Sequence, residues 1–368
     1  MKTTKTKCSL LALIAGSTML FTISCKDHNS IEKTELSQIL SSSYESNIDY
    51  QGIRFEHGML VFESHEQMKQ IFEDLDNQWN DREHEFVTQY AYLDDEALNE
   101  FEEESGYNSE LPYEEFEAHF PGFLSLRQDL FSRENDWLEE LEVYSAENDP
   151  DNHFIIDDTY RALLNVDAEY AVNDTIFKEY DHLTLKIFGA GIDTLILVMD
   201  SIKNGGMNVD TIDGQAVMAV YGMNIPIWSS QNGWFSNTGG PGSNGLCNED
   251  TRKRDRDKEK KGNYMIKWKL RLSNRQIHKT VTAVTKSYKK NRRGKWRKYR
   301  TAITAHGYGH LTDPVGCDQV PIDCGPQTYR AKKIKNKCGE GLATARRKAI
   351  KGYHSGGGGV FYHSELNW

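Results

Sequence analysis

Among the histidines of the C-terminal third, His306, His310, His354 and His363 are the candidates for shared chemistry. Zinc takes three or four convergent ligands, so this set is the part of the sequence that most suggests a metal centre. His306 and His310 are four apart, in His306-Gly307-Tyr308-Gly309-His310. On a helix that spacing shares one face, but these glycines favour a strand or loop. The pair is a metal candidate by residue type alone, and no cofactor is expected. No H-E-x-x-H, G-x-S-x-G or P-loop accompanies it. The glycine run at 356–359 lacks the Gly-Lys-Ser/Thr ending of a phosphate loop and reads as a mobile loop.

A second group could hold a polyanion. Lys289, Lys290, Arg292, Arg293, Lys295, Arg297 and Lys298 surround Trp296, with Tyr288 and Tyr299 beside them. Cations contact phosphate or sulfate while aromatic rings stack on flat groups. The seven cations and Trp296 are the polyanion-binding candidates. Two competing uses remain open. Cations on exposed strands block edge-to-edge association, and a basic surface can dock onto an acidic part of its own chain. No RRM, KH or zinc-finger signature is present.

Four cysteines remain after the N-terminal region: Cys247, Cys317, Cys324 and Cys338. An even number in an exported chain suggests two disulfides, and Cys317–Cys338 is the expected staple. A Cys₄ zinc site competes, without C-x₂-C spacing to support it.

The N-terminus supplies the reason to expect export. Lys2, Lys5 and Lys7 precede an apolar stretch at 10–23, and Ser24-Cys25 follows. The stretch is short for a bilayer-spanning helix and ends at a small residue, as a signal peptide does. Thr22-Ile23-Ser24-Cys25 resembles a loose bacterial lipobox, with Thr22 where Leu is usual. That resemblance implies that Cys25 carries lipid and becomes the first mature residue. The Lys26-Asp27 that follows resembles the start of surface-exported lipoproteins of Bacteroidota. Two or more acyl chains hold a protein to a membrane without spanning it. The expected location is the outer membrane or cell surface, which excludes a cytoplasmic nucleic-acid role.

Length and charge set the organisation. The chain has 368 residues, 38% hydrophobic and 27% charged, with a mean hydropathy of -0.67. This excludes a polytopic membrane protein and suggests about two domains. Residues 26–205 carry 43 acidic and 11 basic side chains, and residues 206–368 carry 12 and 30. The expected fold class is α+β: a mainly helical acidic N-terminal domain with small hairpins, then an antiparallel β-rich basic domain. The expected divisions are a signal peptide at 1–24, a lipid anchor and tether at 25–49, the acidic domain at 50–228, a linker at 229–262 and the basic domain at 263–368. The linker reading rests on Gly, Ser and Asn at 229–245 and on a charged run at 248–263 without an apolar side chain.

In the acidic half, Ser64-His65-Glu66-Gln67 has the spacing of a helix capping box. Met68, Ile71, Phe72, Leu75 and Trp79 then recur at helical intervals. Further helices are expected at 94–104, 113–120 and 124–141. Residues 53–62 suggest a hairpin turning at His57-Gly58. Residues 160–178 read as helix, turn, strand, a turn at Asn173-Asp174, and strand. The words Leu163-Leu164-Asn165 and Val172-Asn173-Asp174-Thr175-Ile176-Phe177-Lys178, with the hairpin, resemble Bacteroidota surface lipoproteins carrying a domain of unknown function. The resemblance covers roughly residues 50–190; it implies a compartment and an architecture and transfers no catalytic residue. Acidic clusters at 94–96, 102–104 and 114–115 read as solvated faces, because neighbouring carboxylates on a helix point apart. Asp174-Thr175-Ile176, Asp193-Thr194-Leu195, Asp200-Ser201-Ile202 and Asp210-Thr211-Ile212 resemble Bacteroidota O-glycosylation motifs.

In the basic half the period changes to two. Ile266, Trp268, Leu270 and Leu272 share one face of a strand, and Lys267, Lys269 and Arg271 share the other. The expectation is a half-buried strand with a cationic outer face. Strands are also expected at 279–289, 296–307 and 360–368, with a hairpin turn at Asn291-Arg292-Arg293-Gly294 and helical character at 341–351. The function expected is a non-enzymatic binding or assembly module at the cell surface. Its partners would be the membrane, through lipid, and a polyanionic glycan or surface partner, with docking of the two halves as an internal use of the charge. The alternative is an extracellular hydrolase with a histidine-based metal site.

Overall fold

The structure, a computed structural model, describes residues 48–140, 149–180, 184–187, 193, 196–197, 216–220, 223–229, 253–274, 279–312, 319–338 and 350–366. The chain divides into two compact units, Met1–Glu45 with Phe101–Tyr107, and Ser46–Glu100 with Asn108–Trp368. The second unit holds the basic sheets together with the acidic helical residues other than 101–107. Cys25, Cys247, Cys317, residues 230–252 and residues 341–349 of the expected helix lie outside the described residues, as do Asp200-Ser201-Ile202 and Asp210-Thr211-Ile212, while Ile350 and Lys351, the end of that expected helix, are in a strand.

The fold is α+β. It opens with β1 (Arg54–Glu56) and β2 (Met59–Phe62), antiparallel across His57-Gly58. Both turn residues have positive φ, 52° and 78°, which suits the right-handed twist of a two-residue hairpin. Helix α1 (His65–Gln89) follows. Its first turn is closed as the spacing predicts: the Gln67 amide donates to Ser64 Oγ at 3.0 Å, and the Glu63 amide to Gln67 Oε1 at 2.8 Å. Its buried stripe is Met68, Ile71, Phe72, Leu75, Trp79 and Phe86.

Helices α2 (Asp95–Ser105), α3 (Leu111–Ala118), α4 (Leu126–Glu140) and the short α5 (Asp158–Ala162) come next. Then β3 (Glu169–Val172) and β4 (Thr175–Glu179) turn at Asn173, whose φ of 49° is left-handed, a conformation Asn tolerates. With β5 (Thr184–Ile187), β6 (Ala216–Val220) and β7 (Met223–Ser229) they make a seven-stranded sheet in the order β1-β2-β3-β4-β5-β7-β6. Only the β2–β3 pair among these is parallel. Trp79, Tyr113, Phe116, Tyr160, Tyr170 and Phe177 lie in the core between this sheet and the helices.

The C-terminal part holds two five-stranded antiparallel sheets. The inner sheet contains β8 (Lys253–Lys261), β9 (Tyr264–Asn274), β10 (Lys279–Lys290), β11 (Trp296–Lys298) and β15 (Lys333–Cys338). The outer sheet contains β12 (Thr301–Thr312), β13 (Gln319–Asp323), β14 (Gln327–Ala331), β16 (Ile350–Gly356) and β17 (Val360–Leu366). Strand β8 corrects the linker reading at 253–261. A run of charged residues forms an edge strand because its backbone pairs with β9 from Lys253↔Leu272 to Lys261↔Tyr264, which needs no apolar side chain.

Leu270, Leu272, Val281, Ala283 and Ile334 of the inner sheet pack on Ile303, Ala305, Ile350 and Leu366 of the outer one. The other side of the inner sheet carries Lys267, Lys269 and Arg271, which are buried as well. The cationic outer face expected of this strand is therefore corrected. β9 is covered on both sides, by the outer sheet and by acidic residues of the helical layer.

Candidate functional site

Alternation along three strands aims a grid of cations at the helical layer: Lys267 and Lys269 on β9, Lys286 on β10, and Lys333, Lys335 and Lys337 on β15. Carboxylates from distant parts of the sequence meet them. Lys267 Nζ lies 2.9 Å from Glu134 Oε1 and 2.9 Å from Asp149 Oδ2. Lys269 Nζ and Lys286 Nζ lie 2.6 and 3.0 Å from the two oxygens of Asp151, which also receives Arg161 at 2.9 Å. Lys333 meets Asp158 at 2.6 Å. Lys335 bonds Asp157 at 2.8 Å and also Asp76, and Lys337 meets Asp76 at 2.8 Å. Arg300, fully buried, clamps Glu83 with two nitrogens at 2.6 and 2.9 Å.

The electrostatics follow from burial and this pairing. Burial alone would push the Glu134 carboxyl up, but Lys267, Lys286 and Lys298 hold it well below its usual range. Asp151 and Asp158 are likewise opposed by burial and held down by the lysines and Arg161 around them. Burial works against the Lys286 ammonium too, yet Asp151, Glu134 and Asp158 keep it above its ordinary value. Lys269 and Lys337 go the other way: burial lowers both, and pushes Lys269 down to about 7, with Asp151 opposing the shift and the like charges of Arg161 and Lys286 adding to it. Three cations share one carboxylate there.

Beside this grid is a polar cleft of about 640 Å³. Asp76, Asn80, Asp81 and His84 line it from α1, and Gln327, Thr328, Tyr329, Lys335 and Lys337 line it from β14 and β15. Its lysines are engaged by Asp76 and Asp157. Burial pushes the Tyr329 hydroxyl well above its ordinary value.

The polyanion candidates fall into two sets. Trp296 is buried with Leu138, Met265 and Tyr288, so it offers no face to a ligand, which corrects its expected stacking role. Lys298 turns inward to Glu134 at 3.2 Å, and Arg297 meets Glu139 at 2.5 Å on the surface. Lys289 donates to the Tyr299 hydroxyl at 3.3 Å. The turn itself is held by backbone bonds, from the Asn291 amide to the Lys295 carbonyl and from the Gly294 amide to the Asn291 carbonyl, with Gly294 at φ 78°. Lys290, Arg292 and Arg293 are exposed at this tip, and Lys295 is half-buried. Burial and then the like charges of Lys258 and Lys290 lower the Lys260 ammonium beside them.

The histidines do not converge. His306 and His310 lie on one strand, where four residues span about 13 Å. His306 bonds Asp323 at 2.6 Å. His354 faces the opposite side of the sheet, fully buried, between Thr285 Oγ1 at 2.8 Å and Ser364 Oγ at 3.0 Å, and burial pushes it down to about 3. Strand parity thus separates His354 from His306, His310 and His363, correcting the expectation of four together. Among the described residues no group of three or more His, Cys, Asp or Glu is placed to hold a metal ion.

Among the described residues a disulfide joins Cys324 to Cys338. This corrects the expected Cys317–Cys338 staple, since Cys338 leaves β15 beside Cys324 in the turn after β13. Among the described residues no helix is long and apolar enough to cross a membrane.

No family model matches the chain, and no curated protein does. Among solved structures, a DUF4848 family protein from Bacteroides thetaiotaomicron is similar at 11% identity, covering 86% of this chain and 100% of its own, with a TM-score of 0.17. A likeness at that score transfers neither fold nor role.

Docking of the two halves is among the uses of charge expected from the sequence, but the cations of β9 were expected on an outer face rather than at this seam between sheet and helices. One signal for it was present: Lys and Arg at every second position opposite an apolar face, in a chain whose other half is strongly acidic.

Proposed function

We propose that the chain is an exported, lipid-anchored surface protein, held at the outer membrane or cell surface through Cys25. Its folded part serves as a non-enzymatic binding or assembly module for a polyanionic partner. The observation that carries the binding reading is the different environment of two sets of cations. Those on the inner sheet are neutralised by Glu134, Asp151, Asp157 and Asp158. Lys290, Arg292 and Arg293 instead crowd one exposed hairpin tip. Cations concentrated on a protrusion attract polyanions by releasing their counterions. Buried ion pairs that hold helices on a sheet support a rigid scaffold behind that tip. The export reading is supported by the basic, apolar and Cys25 succession at the N-terminus.

The test uses the full chain in detergent, with a sulfated glycan and a DNA duplex as charged probes. Binding should weaken as salt rises, and Arg292→Ala/Arg293→Ala should flatten the logarithmic salt slope for duplex by roughly 2. Binding that ignores salt, or an unchanged slope in the variant, would rule the tip out. For the anchor, labelled palmitate should enter the wild-type chain and not Cys25→Ala; a Cys25→Ala chain that stays with the envelope refutes anchoring.

A further inference from the structure

Strand register places His306 opposite Tyr353, and Tyr353 opposite His363, in one row across β12, β16 and β17. The next row is Thr304, Ser355 and Phe361; the row on the other side is Tyr308, Lys351 and Glu365. Tyr353 and His363 rings stand 5.0 Å apart, as do His306 and Tyr308, and Phe361 meets His363 at 6.3 Å. Phe361 is 59% exposed. Such a ring on an open strand face loses free energy to water that a ligand could recover. Three strands and three rows make a platform of roughly 10 by 14 Å.

We propose that this aromatic face binds an uncharged polysaccharide, a chain of pyranose rings with equatorial hydroxyls. Such a ring presents a flat C–H face, which is attracted to the electron-rich face of an aromatic ring. It presents hydroxyl donors at its edge, which need acceptors. The rim of the platform supplies them: Asp323, which already fixes His306, Glu365 opposite Lys351, and the Ser355 hydroxyl. Those carboxylates also exclude the polyanion proposed for the hairpin tip, because they would face its phosphates or sulfates with like charge. An apolar protein partner would have to strip water from the same carboxylates and from Lys351, without offering the hydroxyls that satisfy them. His354 does not belong to this surface; it points inward and stacks near Trp268 at 5.4 Å.

The experiment is affinity electrophoresis of the full chain in detergent, with gels containing cellulosic, β-1,3-glucan or xylan polymers, repeated at low and high salt. The expected result is retardation by at least one neutral polymer that is insensitive to salt. Phe361→Ala/Tyr353→Ala should weaken it about tenfold or more. Tyr353→Phe keeps the ring and should retain binding. Arg292→Ala/Arg293→Ala should retain it too, which separates this surface from the tip. Melting of each variant near the wild-type temperature confirms that the fold survives, and Phe361→Lys alone serves if the double variant does not fold. The proposal is overturned if no neutral polymer retards the chain, if the ring-deleted variant is retarded equally, or if retardation disappears with salt.

Discussion

Removing the carboxylate of Glu83 tests the charged seam at its tightest point. Arg300 is 0% exposed and Glu83 2%, and the guanidinium fork meets the carboxylate at 2.6 and 2.9 Å. The two residues are 217 apart in sequence, so the pair joins α1 to the strand region directly. Glu83→Gln keeps the shape and deletes the charge, leaving a buried guanidinium without its counter-ion. Losing one partner of a buried pair costs about 3–5 kcal/mol. Replacing both, as Glu83→Met/Arg300→Met, removes the desolvation cost together with the attraction and should fall between neutral and about 4 kcal/mol more stable. Urea unfolding reports both, since Trp79 and Trp268 are buried and change environment on unfolding. The single variant should lower the midpoint at an unchanged slope, and the double variant should restore it. Exposed pairs contribute only about 0–1 kcal/mol. A loss under about 1 kcal/mol in Glu83→Gln, or a double variant as weak as the single, would show that the pair is solvated and the seam reasoning wrong.

Three further outcomes are expected. Burial pushes Lys269 down to about 7 from an ordinary 10.5, so the unfolded chain binds more protons between those values and stability should rise with pH across that window; Lys269→Met should reduce this rise, and a variant with the wild-type pH profile would contradict the assignment. The Glu134, Asp151 and Asp158 carboxyls are depressed, so their contribution is present above the ordinary carboxylate range and lost as pH falls below about 4; denaturant midpoints that stay level down to pH 2 would argue against it. Reducing Cys324–Cys338, which closes a span of 14 residues, should cost roughly 3 kcal/mol, read as a drop in melting temperature with reductant that Cys324→Ser/Cys338→Ser no longer shows.

The buried ion pairs suggest how the layers find one register. Apolar faces attract without direction, whereas Lys267, Lys286 and Lys335 tolerate burial only where Glu134, Asp151 and Asp157 come to meet them. A displaced helix layer would strand several charges at once.

Local pattern determined much of this by itself. The capping spacing at Ser64 and Gln67 located the start of α1, and His57-Gly58 located the first hairpin, because caps and turns are satisfied within a few residues. Alternation along β9 told which side chains share a face, because strand parity is a property of the backbone. What lies across from a face is not local. Lys267 is 133 residues from Glu134, and a lysine looks the same in sequence whether water or a carboxylate awaits it. For the same reason the charged run at 253–261 read as a linker until β9 supplied its partner, and Cys338 could be matched to Cys324 only once both strands were placed. His354 was separated from the other three histidines by parity across the sheet, which spacing along the chain does not express.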